Sequence, residues 1–163
     1  MAVDLPRSKR HVLVCARHVA LKLAQYAELQ VSSNFSFLRG ASHPHELVTE
    51  AAALGLSAIA LTDIHSLAGI VRAHQAAKEA GIQFITGCRL NLSYQAAIGQ
   101  QPGSLAVLVY PRERRSYADL CRLLTLGSRR APKGQCLLSV DDFLDKAQEL
   151  VCILLGPHPS ASN

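Results

Sequence analysis

Residues 33–69, SNFSFLRGASHPHELVTEAAALGLSAIALTDIHSLAG, hold the end of one strand, a complete helix, a second strand and the approach to another helix. Ser42 and Pro44 suit a helix start, because proline's missing N–H falls among first-turn donors that have no helical partner. Leu47, Val48, Ala51 and Leu54 then follow helical spacing as far as Gly55. Residues 57–61 form a continuous apolar run of the kind buried inside a sheet. Strand, helix and strand in this order predict a βαβ unit with parallel strands.

The same alternation continues outward. Residues 29–31 read as the end of the preceding strand, 66–80 as a second helix closed by Gly81, and 82–85 as a third strand. Residues 91–103, polar and carrying Gly99, Pro102 and Gly103, read as a loop before a strand at 105–110. A helix is expected over 112–126, ending at Gly127. Ser139 to Asp142 opens another helix in the manner of a capping box, with Asp in place of the usual Glu, and 151–155 is the last strand. The fold class is therefore α/β, a mainly parallel sheet curling toward a barrel. No internal repeat or low-complexity tract is present.

With 163 residues, 49% of them apolar, the chain is long enough for one domain with its own core. Its formal charge of +5 is unevenly placed. Residues 111–133 carry Arg112, Arg114, Arg115, Arg122, Arg129, Arg130 and Lys133 against only Glu113 and Asp119, and residues 1–25 are also basic. Such local excess is suited to phosphate, although a solvated helix face has the same composition. Tyr117 is the one aromatic residue among the arginines, so contact with a nucleic-acid backbone is indicated rather than base stacking.

The five cysteines, Cys15, Cys88, Cys121, Cys136 and Cys152, have no CxxC spacing, which argues against a disulfide framework or a zinc ribbon and for a reducing cytoplasm. Cys15, Cys121 and Cys152 sit among apolar neighbours and are expected in the core. No apolar stretch reaches the roughly 20 residues that span a bilayer. Arg17 and His18 interrupt the apolar part of the first 25 residues, which argues against a signal peptide.

Walker, GxGxxG, GxSxG and HExxH patterns are absent. Asp141, Asp142 and Asp145 form an acidic cluster, but a first helical turn favours carboxylates through its dipole, which accounts for them without chemistry.

Four segments in register carry a family resemblance: LRGAS after the first strand, ALTD at the end of the second, AAKEAGIQFITGCRL from helix into third strand, and YPRERRSYADLCRLLTLGSRRAPKG beyond. Together they resemble the PHP (polymerase and histidinol phosphatase) domain that begins bacterial C-family DNA polymerases, in particular the error-prone branch. The resemblance covers about residues 26–155. It implies an N-terminal extension at 1–25, a partial PHP domain at 26–155, a distorted βα barrel left incomplete at the C-terminus, and a disordered tail at 156–163.

Active members of this family gather His, Asp and Glu at strand ends around metal ions, as α/β barrels place chemistry there. Carried over by position, the His-x-His of the first strand is Gln30, Val31 and Ser32 here. The acidic residue before the turn glycine is Arg39, the Thr-Asp-His motif reads Thr62, Asp63 and Ile64, and the Glu after Gly-Cys is Arg89. Only Asp63 keeps a competent ligand. Two guanidiniums bring fixed positive charge and no acceptor, and at 4 Å a divalent ion would meet each with a repulsion of about 8 kcal/mol at an effective dielectric near 20.

Accordingly, no catalytic residue, no metal and no cofactor are expected in this stretch. Asp63 is expected to pair internally with Arg39 or Arg89, in preference to an anion bound by the arginines. His43, His45 and His65 are expected as exposed turn residues and His74 on a helix surface. The resemblance implies a parent that extends damaged DNA and serves replication, translesion synthesis and repair, with Mg2+ for the polymerase reaction. Its implied partners are DNA and other polymerase domains or mutasome subunits. Two alternatives stand beside it: a small PHP metallophosphoesterase with rearranged ligands, and a nonenzymatic module that binds DNA or a partner through its basic segment.

Overall fold

The computed structural model describes residues 26–95 and 103–156. The expected extension at 1–25, and the expected tail apart from Gly156, lie outside them. Three parallel strands, β1 (Ala27–Val31), β2 (Ala58–Leu61) and β3 (Gln83–Thr86), form the first sheet in the order β1-β2-β3. Helices α1 (Pro44–Ala53) and α2 (Ile70–Ala80) make the two crossovers. Every residue of β2 is buried, as its unbroken apolar sequence predicts. Val48 and Ala51 of α1 and Ile70, Ala73 and Ala77 of α2 close over Ile59 and Leu61, which seals one face of this sheet.

Helix α2 begins four residues later than the expected start at Ser66. His65 takes a left-handed backbone (φ 50°), so the chain turns before it can enter the helix.

The second sheet is mixed. Strands β4 (Cys88–Tyr94), β5 (Gly103–Pro111), β6 (Leu138–Ser139) and β7 (Leu150–Leu155) lie in the order β6-β4-β5-β7. β4 runs antiparallel to β5, which runs antiparallel to β7, while β6 joins β4 in parallel. Counted over both sheets, parallel pairs outnumber antiparallel ones. The loop expected from residue 91 is thus corrected to begin after β4. The missed signal is the alternation of Cys88, Leu90 and Leu92, all buried, with Arg89, Asn91 and Ser93, a period-two pattern.

Helix α3 (Arg114–Arg130) covers this sheet by packing Leu120, Leu123 and Leu124 on Cys88, Leu90, Leu92, Val107 and Val109. It runs through Gly127 rather than ending there. A Cβ at Gly127 would lie 2.5 Å from Cys136 Sγ and 2.8 Å from Leu138 Cγ, so the glycine admits the returning chain against the helix. A short α4 (Val140–Leu144) follows β6. Ser139 caps it, and its hydroxyl accepts the Asp142 N–H at 3.1 Å while the Ser139 N–H donates to Asp142 Oδ2 at 3.0 Å, the reciprocal box expected from the sequence.

The two sheets meet through Ala60, Leu108 and Tyr110, with Ile85, Ile153 and Leu155 alongside. Tyr110 spans the gap and donates its hydroxyl to the Leu29 carbonyl at 2.7 Å. Burial, and then the charge of Glu28, pushes its pKa up to about 12, so the hydroxyl keeps its proton. Gly87 turns the chain from β3 into β4, and a Cβ there would strike Thr62 and the Tyr110 ring at 2.8 Å. Of the described cysteines, Cys88 is fully buried, Cys121 is half-buried and Cys152 is exposed on the outer strand β7, while Cys15, also expected in the core, lies outside the described residues. The core role expected of Cys152 fails because strand pleating, not an apolar neighbourhood, decides which face a residue takes.

Candidate functional site

Asp63 stands just past β2 and is 1% exposed. An ionised carboxylate only accepts hydrogen bonds, and a buried one needs donors on both oxygens. The turn after β1 supplies them. The Ser33 N–H donates to Oδ1 at 2.8 Å, the Ser33 hydroxyl to Oδ2 at 2.6 Å, and the Ser36 hydroxyl to Oδ1 at 2.6 Å. Ser36 Oγ in turn accepts the Ile64 N–H at 3.0 Å. Residues 33–36 are bent into position by the Ser36 N–H bond to the Ser33 carbonyl, at 2.9 Å. Asp63 is therefore a latch that ties the loop after β1 to the end of β2.

That finding corrects the expected pairing of Asp63 with Arg39 or Arg89. Among the described residues, the ion pairs are Arg122 with Asp119 and Arg130 with Asp142. The serines reach Asp63 first because the SNFS turn holds both hydroxyls beside it, a three-residue spacing that was the available sequence signal. Arg89 joins Asp63 only through the backbone, its N–H donating to the Asp63 carbonyl at 3.0 Å. Its side chain lies on the face of β4 opposite Cys88 and Leu90.

Arg39, exposed, and Arg89, half-buried, line one cavity of roughly 890 Å3 beside the second sheet, with residues of β4, β5 and β7 in its wall. Arg89 Nε is buried without a hydrogen-bond partner. Burial, and then the charge of Arg39, lowers the pKa of Arg89. Of the remaining positions in the carried-over pattern, Gln30 is exposed on β1, Ser32 is half-buried beyond it, and Ile64 forms a parallel β-bridge with Arg89.

His65 is half-buried, not an exposed turn residue. Its Nε2 accepts the Asn91 N–H at 3.3 Å, which leaves the proton of the neutral ring on Nδ1, and Nδ1 is buried without a partner. Burial lowers its pKa. His43 and His45 are exposed, their rings stacked 5.6 Å apart at the start of α1, and His74 is exposed on α2. Among the described residues, no three His, Cys, Asp or Glu side chains converge as a metal site.

The basic segment divides in two. Arg112, Arg114 and Arg115 are exposed at the start of α3, and Arg129, Arg130 and Lys133 are exposed at its end. A 17-residue helix is about 25 Å long, so these are separate clusters. Arg122 is held by Asp119 at 2.7 Å and Arg130 by Asp142 at 2.6 Å. Arg129 and Arg130 also complement the negative end of the helix dipole. Arg112, Arg114, Arg115, Arg129 and Lys133 remain without an acidic partner in the described structure. No described helix is long and apolar enough to cross a membrane.

The sequence profile of the PHP domain matches residues 28–159. The chain is 48% identical over 133 residues to an error-prone DNA polymerase of Caulobacter vibrioides, covering 82% of the chain and 12% of that protein. It is 46% identical over 132 residues to error-prone DNA polymerase 1 of Agrobacterium fabrum, covering 81% of the chain and 11% of that protein. The chain thus spans about an eighth of the length of these relatives. Among solved structures, an amidohydrolase from Chromobacterium violaceum is 27% identical with a TM-score of 0.49, over 64% of this chain and 34% of that one.

Proposed function

This chain belongs to the PHP domain family, and from that premise we propose that it is the PHP portion of an error-prone DNA polymerase, serving as a scaffold without a metal centre of its own. The observation that carries the reading is the identity of 43–48% to proteins named error-prone DNA polymerase over about four-fifths of the chain. In the proposed parent, nucleotide addition and its Mg2+ belong to other parts of the polypeptide. DNA, other polymerase domains and mutasome subunits are the partners, and replication, translesion synthesis and repair in the cytoplasm are the setting.

The donor chemistry does not fit a metal cluster. Gln30, Ser32 and Ile64 offer weak ligands or none, Arg39 and Arg89 repel cations, and Asp63 already accepts three hydrogen bonds from Ser33 and Ser36. What the site does instead is mechanical: the Asp63 latch fixes the loop after β1, and Tyr110 fixes β1 against β5.

The basic clusters at the two ends of α3 are proposed to meet a nucleic-acid backbone or a neighbouring domain. Charge reversal at Arg129 together with Lys133 would weaken salt-dependent DNA binding if DNA is the partner. Metal analysis of the purified chain tests the scaffold reading. The expected result is no stoichiometric zinc, manganese or iron and no phosphatase activity that a chelator abolishes. Two or three metal ions per chain, with chelator-sensitive hydrolysis of a phosphate ester, would overturn it in favour of a metallophosphoesterase.

A further inference from the structure

We propose that the loop after β1 is a docking surface for a segment of another protein that carries large apolar side chains with carboxylates beside them. Phe37 is 86% exposed and Leu38 is 90% exposed, more than any other large apolar side chain among the described residues. Scattered exposed apolar residues are ordinary, but this adjacent pair is held outward by a closely tied loop. Ser33 and Ser36 pin the loop to buried Asp63. The Asn34 N–H donates to the Ser42 carbonyl at 2.9 Å across its base, and the Arg39 N–H donates to the Ser36 carbonyl at 2.9 Å behind its tip. A Cβ at Gly40 would strike the Ser32 and Ser33 carbonyls, so the returning strand of the loop lies directly against the outgoing one.

Leu38 itself takes a left-handed backbone (φ 62°), which a leucine adopts only when its surroundings impose it. Backbone strain of this kind concentrates at recognition sites, where a fixed presentation of side chains is the useful property. Beside the tip lies a groove of roughly 610 Å3, walled in part by Phe35, Phe37, Ile64 and Cys136. A recess of that size accepts large apolar anchors. Lys133 also lines it, none of its lining residues is acidic, and Arg39 follows Leu38 on the loop. Neither cation has an acidic partner among the described residues. The apolar wall therefore selects the anchor, and the two cations select carboxylates on the segment that brings it. Single-stranded nucleic acid would use the flat face of Phe37, but the branched side chains of Leu38 and Ile64 give a base nothing to stack on.

The test pans a phage-displayed library of random peptides against the full 163-residue chain, with the Phe37→Ala variant as counter-target. Enriched peptides are expected to combine aromatic or branched apolar residues with Asp or Glu. Binding of the corresponding synthetic peptides should weaken about tenfold or more with Phe37→Ala and about threefold or more with Lys133→Glu. Leu38→Asn separates docking from folding, because asparagine tolerates the left-handed backbone. Its thermal stability should hold or rise while peptide binding falls about fivefold or more.

Failure to enrich any peptide over the counter-target, or an enriched set without carboxylates, would overturn the proposal. So would a clear loss of thermal stability in both Phe37→Ala and Leu38→Asn, which would make the pair part of the packed fold. Oligothymidylate bound more tightly than the selected peptides, and weakened by Phe37→Ala, would reassign the surface to nucleic acid. A dimer of the chain alone in sedimentation, dissolved by Phe37→Ala, would reassign it to a second copy. Metal content enters none of these outcomes, so this inference and the scaffold reading fail separately.

Discussion

Asp63 and Arg89 are joined through the backbone, yet their side chains live in opposite conditions. The carboxylate is 1% exposed and accepts three hydrogen bonds. The guanidinium is half-buried, has an orphaned Nε and feels a second arginine. Opposite charges close in space have not paired. Strand pleating turns Arg89 into the cavity beside the second sheet, and a tight serine turn claims the aspartate first. Charge complementarity is decided by side-chain direction as much as by distance.

The most forceful way to break this comparison is Asp63→Ala. It leaves the Ser33 N–H and two hydroxyls buried without an acceptor, and about 3–5 kcal/mol of stability should be lost in urea denaturation. A loss below about 1 kcal/mol would show that the latch is dispensable. Tyr110→Phe deletes only the hydrogen bond to Leu29 between β5 and β1. It should cost about 1 kcal/mol, with little change in the slope of the denaturation curve.

Arg89→Met tests the other half of the comparison. The methionine keeps the apolar stem and removes an unpaired, desolvated charge, so stability should hold or rise by up to about 1 kcal/mol. Marked destabilisation would mean that Arg89 has a partner which this geometry does not supply.

The smallest effect is expected at the exposed counterpart, where Ser139, Asp142 and Arg130 repeat a serine–aspartate arrangement at the surface. Arg130→Ala should cost about 0.5 kcal/mol or less. The Ser139 N–H first, and then the Ser139 hydroxyl and Arg130, hold the Asp142 carboxyl below the usual carboxylate range against the opposing effect of burial, which ranks second among the causes. Because that pKa is depressed on folding, its contribution is complete above the ordinary carboxylate value. It is lost as pH falls through the lower folded value. Asp142→Asn should therefore flatten the acid limb of the stability curve. An unchanged acid limb would show that the cap contributes nothing there.

Local pattern was a good guide where one element sufficed. The helical spacing of Leu47, Val48 and Ala51, the apolar run at β2 and the Ser139–Asp142 box all became the elements they suggest. It misled where an outside neighbour ruled. Gly127 resembles a helix end until Cys136 and Leu138 are seen packed against it. The residues from Asn91 to Tyr94 look like loop until β5 and β6 pair with β4. Ser33 and Ser36 carried no obvious role until the turn brought them 2.6 Å from Asp63.

Residue identity alone determined the alternation of strands and helices and the location of the basic segment. These follow from side-chain chemistry and from periodicities that need no distant partner. Only the tertiary structure decided that the second sheet is mixed, that α3 parts the basic residues into two clusters, and that Asp63 is latched while Arg39 and Arg89 share a cavity. Each of these depends on which face a strand turns inward and what arrives to meet it, and such long-range meetings leave no periodic trace along the chain.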